Sequence, residues 1–367
     1  MARDPASLER TLSGKHAERV RPDTVVGYAM SVIEFIRSAR SEFPLTLNVR
    51  LPRLQIKVHL QEGGLATAIR RNFVQGGGGG GAPVSPSTEI FVAHPGLKGV
   101  PAPATWAAEP YRPHEVAFRL EQAGLRASYF HDLAFWQIFD PQAAFGVQLM
   151  SGPEAYPPWD PGAPLRPFLH WQYARLGMRL AHCGTLGSSG SGVLLAGPGG
   201  SGKSGTVVAG LLNGLQTIGD DYVLLEAGGE VAGYPVFATL KQDQAGIDRL
   251  SLKDRLGSTG SPNWQGKYEF RIWDVGDALP PPARMVFKAL LVPRLAGNSK
   301  TTIEPISRRD AMLAFAPSSI HQMPGERESG FAFFASVARQ LPCYSLSPGR
   351  EPAEIAGAIA QFLDKAA

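Results

Sequence analysis

The segment GPGGSGKS, residues 197–204, constrains the fold of this chain more than any other segment. It matches the pattern G-x-x-x-x-G-K-[ST]. An apolar run precedes it at residues 193–196, and a helix-like run follows it at residues 207–215. A strand, a glycine-rich turn and a helix in this order are typical of a phosphate-binding loop. The sequence therefore predicts an α/β domain that binds a nucleotide.

The residue types in this segment suit the binding of a phosphate chain. Glycines let backbone N–H groups approach phosphates without a side-chain clash, and the start of a helix adds partial positive charge. Lys203 would neutralise the β- and γ-phosphates, and the Ser204 hydroxyl would ligate Mg²⁺. The alternative is a glycine-rich turn with a chance lysine. The expected nucleotide-binding residues here are Gly197, Gly199, Gly200, Ser201, Gly202, Lys203, Ser204 and Gly205.

Two adjacent carboxylates, Asp220 and Asp221, come shortly after the helix-like run and directly before another apolar run. One carboxylate can hold Mg²⁺ while the other accepts a proton from an attacking hydroxyl. If both were ionised without a cation, repulsion would raise the pKa of one of them. We therefore predict Ser204, Asp220 and Asp221 as the metal-contacting residues. The alternative is an Asp-Asp turn that caps a strand.

The spacing of these residues extends to a histidine. His182 and Lys203 are 21 residues apart, and Lys203 and Asp220 are 17 apart. In this order and spacing, residues 182–225 resemble the catalytic domain of bacterial HPr kinase/phosphorylase and its relatives, which include lasso-peptide kinases. Taken alone, His182 would be interpreted as a structural or surface histidine.

The resemblance implies a fold related to phosphoenolpyruvate carboxykinase, with ATP and Mg²⁺ as the bound groups. It implies catalytic roles for His182, Lys203, Asp220 and Asp221, with His182 tuning the acidic pair or hydrogen-bonding the phosphoryl region. Which aspartate acts as the base stays open at this point. The chain has no counterpart of the Arg-Gly-rich segment that HPr kinase carries after its Asp-Asp strand.

Three further cations follow from the resemblance. The segment YPVFATLKQD resembles the part of the HPr-kinase-like relatives that carries a basic residue, and GKYEFRI resembles their later lysine-bearing strand. Lys241, Lys267 and Arg271 are therefore expected to contact the nucleotide or its transferred phosphoryl group. The alternative for each is a solvated surface cation.

The chain organisation predicts two domains after a polar N-terminus. Residues 1–24 are expected to be disordered or extended, and residues 25–160 to form a smaller N-terminal α+β domain with a flexible Gly-rich loop at 76–88. Residues 165–367 would form the HPr-kinase-like ATP-binding catalytic domain. Its first element is predicted as a helix from residue 165 to about residue 181.

The composition limits the classes of partner that we expect for this chain. The formal net charge of +4 in 367 residues comes without a Lys/Arg-rich tract, so we expect no nucleic-acid partner. No apolar run is long enough to span a membrane, and the N-terminus does not read as a signal peptide. Only two cysteines occur, which argues against a disulfide framework and favours the cytoplasm.

These observations favour an ATP-dependent kinase that transfers the γ-phosphoryl group to a hydroxyl. The acceptor would be a serine of a peptide or protein, or a small-molecule alcohol. Two alternatives are a P-loop nucleotide hydrolase or switch and a non-catalytic nucleotide-binding module. A homo-oligomer is compatible with all three.

Overall fold

The computed structural model of the chain divides into two compact units. Both units combine helices with sheets that contain parallel and antiparallel pairs, so the predicted α/β class is confirmed. The first unit holds residues 24–49, 55–68, 87–95 and 113–157. The second holds residues 50–54, 69–74 and 158–366. The structure describes residues 24–74, 87–95, 113–256, 260–275, 278–325 and 327–366.

The first unit is built on a six-stranded mixed sheet. Its strands are β1 Leu45–Leu51, β2 Leu54–Leu60, β3 Ser87–Ala93, β4 Arg126–Phe130, β5 Phe135–Asp140 and β6 Phe145–Leu149. The order in the sheet is β1-β2-β3-β6-β5-β4. Strand β3 is parallel to both of its neighbours, whereas β5 is antiparallel to both of its own. Residues 76–86 of the predicted glycine-rich loop, like residues 1–23, lie outside the described residues, and its last two residues begin β3.

The described helices of this part of the chain are α1 Val25–Ser38, α2 Gly63–Arg71, whose last three residues belong to the second unit, and α3 Pro113–Gln122. Thr24 caps the start of helix α1, and its hydroxyl accepts a hydrogen bond from the Gly27 N–H at 3.0 Å. Such a cap satisfies one of the backbone donors that a helix start leaves unpaired. The apolar face of α1, which includes Val32 and Ile36, is buried in one core with Trp136 and Val147.

The described residues of the second unit form ten strands. They are β7 Arg179–Ala181, β8 Cys183–Ser188, β9 Ser191–Ala196, β10 Val223–Ala227, β11 Val231–Tyr234, β12 Thr239–Gln242, β13 Tyr268–Arg271, β14 Met285–Pro293, β15 Thr302–Pro305 and β16 Cys343–Ser347. Strands β12 and β13 form a separate antiparallel pair, and the other eight form one mixed sheet. Strand β14 lies at its centre, parallel to β9 and β16 and antiparallel to β11.

Helices cover both faces of this larger sheet. They are α4 Arg166–Arg175, α5 Lys203–Leu211, α6 Gln244–Arg249, α7 Leu252–Leu256, α8 Arg308–His321, α9 Arg327–Gln340 and α10 Pro352–Ala366. On β9, Val193 and Leu195 are buried in a core with residues of α5, α6 and α10. Leu194 and Ala196 face a second core with residues of α8 and α9. The strand is therefore apolar on both faces, as expected for a strand between two helical layers.

Two helix boundaries differ from the sequence-based expectation. The predicted helix over residues 165–181 ends at Arg175, because Gly177 adopts a positive φ of 73° and Arg179–Ala181 pairs with β10 instead. The apolar pattern continues beyond the helix through Met178 and Leu180. Both side chains are buried, although the chain is no longer helical there. Helix α5 starts earlier than the predicted residue 207 and ends at Leu211.

Within the described ranges, no helix combines the length and apolar character that a membrane crossing requires. The two cysteines, Cys183 and Cys343, are free thiols, and both are buried.

Candidate active site

The strand pair β8–β9 leads directly into the glycine-rich segment. The two strands form a hairpin whose two-residue turn, Ser189 and Gly190, has positive φ at both positions. This conformation matches the twist of a tight hairpin. Strand β9 ends at Ala196, and α5 begins at Lys203. We call the connection between them, residues 197–202, the glycine loop.

The backbone of the glycine loop requires glycine at two positions. Gly200 has a φ of 78°, and Gly202 has a φ of 100° and caps the start of α5. Residues with a Cβ rarely adopt these values. The Ser201 hydroxyl within this loop is buried and has no hydrogen-bond partner among the described residues. The loop thus carries a buried polar group directly before the helix start.

Lys203, the first residue of α5, turns back over the loop. Its side chain is only 6% exposed, and its Nζ donates hydrogen bonds to the carbonyl oxygens of Gly197 at 2.6 Å and Pro198 at 3.0 Å. Burial lowers the pKa of Lys203, while the negative charges of Asp220 and Asp221 oppose that shift. The ammonium group therefore lies inside the loop and within the field of both aspartates.

Asp220 is a buried carboxylate without a well-formed hydrogen bond among the described residues. The residue is 2% exposed, and the Ser204 hydroxyl is close enough to lower its pKa, although neither carboxylate oxygen is fully satisfied. The pKa of Asp220 is raised to about 6: burial and then the charge of Asp221 raise it, whereas the neighbouring Ser204 hydroxyl and the Lys203 ammonium offset part of the rise. An unpaired polar group at this depth is costly, and such groups mark sites where a ligand or ion supplies the missing contacts.

Gly184 on β8 makes room for this carboxylate. A Cβ atom at Gly184 would lie 2.7 Å from Cγ2 of Val207 and 3.0 Å from Oδ1 of Asp220. Contacts this short require neighbouring atoms to move. The glycine thus lets the strand, the helix α5 and the Asp220 side chain approach one another closely.

Asp221 has two cationic or proton-donating partners. One oxygen is 3.0 Å from Nε2 of His182, and the other accepts a hydrogen bond from Nζ of Lys241 at 2.9 Å. Burial alone raises the pKa of Asp221, but the Lys241 ammonium and the His182 ring outweigh burial and hold the pKa well below its usual range. The residue also adopts a positive φ of 84°, which is rare outside glycine. The two neighbouring aspartates therefore have opposite environments.

His182 lies between β7 and β8 and is held from both its backbone and its ring. Its backbone N–H donates to the Ser319 hydroxyl on α8 at 3.0 Å. Its Nδ1 is buried and has no hydrogen-bond partner among the described residues. Since Nε2 faces the ionised Asp221, the tautomer that donates from Nε2 fits this geometry.

Lys241 reaches the site from the small β12–β13 sheet. It lies opposite Glu269 in the strand register, and its Nζ is 3.9 Å from a Glu269 oxygen. That same oxygen accepts a hydrogen bond from the Asn263 amide at 2.7 Å. The two carboxylates of Asp221 and Glu269 raise the pKa of Lys241 against the opposing effect of burial. Lys241 is thus charged and fixed between two acidic groups.

The other two cations suggested by the resemblance have different surroundings. Lys267 is partly exposed, and its charge contributes to the lowered pKa of Lys203. Arg271 is bound by Asp274, with an Nη2–Oδ1 distance of 2.7 Å, and its guanidinium lies 5.5 Å from the ring centroid of Trp273. The side chains of His182, Lys203, Asp220, Asp221 and Lys241 are brought together, and Arg271 is engaged elsewhere.

Three residues of this region were not expected from the sequence. They are Gly184, Glu269 and Arg249, whose guanidinium lies over Gly205 in the first turn of α5. Each depends on a contact between elements that are distant along the chain. No local pattern marks such residues, although the i to i+2 alternation in β13 could have indicated that Glu269 and Arg271 share a face of the strand.

The donor atoms of this site differ from those of a closed metal centre. In the ranges that the structure describes, no group of three or more His, Cys, Asp and Glu side chains is arranged to hold a metal ion. Comparison of the chain with protein-family models and with curated proteins finds no match.

Proposed function

We propose that this chain is an ATP-dependent phosphotransferase that moves the γ-phosphoryl group of Mg·ATP to a hydroxyl acceptor. The observation that carries the proposal is the buried, unpartnered carboxylate of Asp220 beside the glycine loop and Lys203. A second carboxylate, Asp221, is held ionised beside it by His182 and Lys241. Phosphoryl transfer needs this combination of phosphate positioning, charge neutralisation and a proton acceptor.

The residues present fit Mg·ATP. Among the described residues, the Ser201 hydroxyl and both Asp220 oxygens are buried polar atoms without a well-formed hydrogen bond, and Gly200 and Gly202 keep the loop free of bulky side chains. The glycine loop and Lys203 would hold the phosphates, and Ser204 with Asp220 would face Mg²⁺. Bound Mg²⁺ supplies charge neutralisation between the phosphate oxygens.

The environments of the two aspartates assign them different roles in the proposal. Both oxygens of Asp221 already have partners, so this residue anchors His182 and Lys241. Both oxygens of Asp220 are free to take a new partner, so Asp220 accepts the proton of the attacking hydroxyl and faces the metal.

Lys241 and His182 support this arrangement without holding the phosphate chain themselves. Their positive and proton-donating groups keep Asp221 ionised, and Lys241 keeps a fixed ammonium at the edge of the site. Lys267 adds a further cation whose field reaches Lys203. Cations in such positions stabilise the charge that develops on a transferred phosphoryl group.

The strand arrangement supports an HPr-kinase-like domain over the other P-loop types. The strand before the glycine loop pairs in antiparallel fashion with β8 and in parallel with β14, whereas Ras-like and ABC-type domains are built on parallel sheets. In this proposal the acceptor is a serine of a peptide or protein, or a small-molecule alcohol. The two free, buried cysteines fit a cytoplasmic location.

The direct test is transfer of labelled γ-phosphate. The protein is incubated with γ-labelled ATP, Mg²⁺ and lysate from its own host, and the labelled species is identified by mass spectrometry. We expect a labelled hydroxyl compound with the wild type and none with Lys203→Ala. The exposed Lys253→Ala serves as the matched control. Label that appears only as inorganic phosphate would favour a hydrolase, and ATP binding without turnover would favour a non-catalytic module.

A further inference from the structure

The guanidinium of Arg249, a residue of helix α6, lies against the first turn of α5. Lys203, Ser204 and Gly205 are the first three residues of that helix. A Cβ atom at Gly205 would lie 2.6 Å from Nη2 of Arg249 and 3.9 Å from its Cζ. The Arg249 guanidinium therefore fills the space that a side chain at position 205 would need.

The backbone of Arg249 is fixed by the packing of α6. Asp243 caps the start of this helix, and its carboxylate accepts a hydrogen bond from the Gly246 N–H at 2.7 Å. Ile247 and Leu250, which flank Arg249 along the chain, are buried in the same core as Val207 of α5. The α6 backbone therefore cannot shift freely against α5, and the arginine is delivered to Gly205 from a rigid support.

The guanidinium is available to a ligand. Arg249 is exposed, and no carboxylate pairs with it among the described residues. The same first turn carries the buried Lys203 and the Ser204 hydroxyl, both of which act on the buried carboxylate of Asp220. A cation without an anionic partner at the start of a helix suits a phosphate group, since guanidinium nitrogens match phosphate oxygens in pairs.

The order of the residues along the turn indicates which phosphate of the nucleotide Arg249 would contact. Lysine and serine at the end of the glycine-rich motif act on the β- and γ-phosphates and their metal ion. Gly205 follows these two residues in the same turn, so the phosphate left for its neighbour Arg249 is the α-phosphate, which lysine and serine do not serve. We propose that Arg249 binds the α-phosphate of the nucleotide, in the place where a side chain at position 205 would otherwise lie; this inference rests on the proposed function.

Calorimetric titration with Mg·ATP and Mg·ADP tests the inference. We expect Arg249→Ala to raise the Kd for both nucleotides by about 10-fold, the scale of a hydrogen bond to a charged group. Gly205→Ala should have a similar effect, because its methyl group displaces the guanidinium while alanine favours the helix. The double variant should bind no more weakly than Arg249→Ala alone, since both changes remove the same contact.

The controls separate this inference from the proposed function. Arg255→Ala removes an equal charge from an exposed position on α7 and should leave both Kd values unchanged. A wild-type protein that binds neither nucleotide would overturn the proposed function together with the inference. Normal ATP binding by Arg249→Ala, or additive effects in the double variant, would overturn the inference alone. A loss confined to ATP would assign Arg249 to the γ-phosphate and would equally overturn it.

Discussion

The carboxylate of Asp221 and the ammonium of Lys241 form an ion pair of 2.9 Å, although 20 positions separate them along the chain. The pair joins Asp221, which lies two residues before β10, to the two-stranded sheet of β12 and β13. It also ties Glu269 to the site, because Nζ of Lys241 lies between the two acids. The small sheet is therefore coupled electrostatically to the acidic pair.

Replacing Lys241 should destabilise the fold. Lys241→Met leaves Asp221 and Glu269 without their shared cation, and the Lys241 and Asp221 side chains are only 14% and 24% exposed. We expect a loss of about 2–4 kcal/mol in the free energy of unfolding, measured by urea denaturation. The double variant Asp221→Asn, Lys241→Met should lose less than the two single variants combined. Strictly additive losses would contradict the coupling.

Substitution by asparagine should have different effects at Asp220 and at Asp221. Asp220→Asn removes a buried charge without a partner, so we expect it to fold at least as stably as the wild type and to bind ATP. Phosphoryl transfer by this variant should fall by at least about 10²-fold, the scale for the loss of a general base. Asp221→Asn should instead lower the free energy of unfolding, because His182 and Lys241 lose their anchor. Full transfer activity in Asp220→Asn would refute its assigned role.

A methyl group added at position 184 should displace side chains of the candidate site. Gly184→Ala would force Val207 or Asp220 to move, so we expect a loss of about 1–3 kcal/mol in unfolding free energy together with slower transfer. Gly357→Ala is the matched control, because a Cβ there meets no atom within 4 Å in the interior of α10. That variant should gain up to about 1 kcal/mol. Equal thermal stability of the two variants would argue against the close approach at Gly184.

The sequence around residue 200 contained most of the information needed to predict the strand, the glycine loop and the helix that form the candidate site. Apolar residues, glycines and a helix-like run follow one another directly, so the strand β9 and the helix α5 could be predicted from neighbouring residues. The resemblance added His182 and Lys241, which no local pattern distinguishes from ordinary surface residues. The predicted helix through residue 181 was wrong because Met178 and Leu180 fit the helical period equally well, and only the pairing of β7 with β10 decides their conformation.

The remaining site residues depend on contacts that the sequence does not contain. Glu269 contacts Lys241 because β12 and β13 pair in one particular register. Arg249 contacts Gly205 because α6 packs into the core beneath α5. Both relationships join segments separated by loops of irregular sequence, and neither has a periodic signal.

Acid should destabilise the second unit through His170. This residue is 4% exposed, and neither ring nitrogen has a hydrogen-bond partner in the part of the chain that the structure describes. Burial, with the charges of Arg179 and Arg166, lowers its pKa to about 3. Below the ordinary pKa of 6.5, the unfolded chain binds a proton that the folded chain does not bind. The free energy of unfolding therefore falls as the pH falls, by about 1.4 kcal/mol per pH unit and by about 5 kcal/mol in total by pH 3.

Comparison of two variants isolates this effect. His170→Leu should show a smaller loss of unfolding free energy between pH 6.5 and pH 4 than the wild type, measured by chemical denaturation at each pH. His114→Ala, at an exposed position, should retain the wild-type dependence. An unchanged pH dependence in His170→Leu would show that His170 is protonated in the folded protein.

The central position of β14 has a consequence for synthesis of the chain on the ribosome. Strand β9, which carries the glycine loop, pairs with β8 on one edge and with β14 on the other, and β14 is made long after both. A nascent chain that stops before Met285 therefore exposes an apolar strand edge, which can pair with other chains. Chaperone binding during translation would be most valuable in that interval, and it would end once β14 closes the edge.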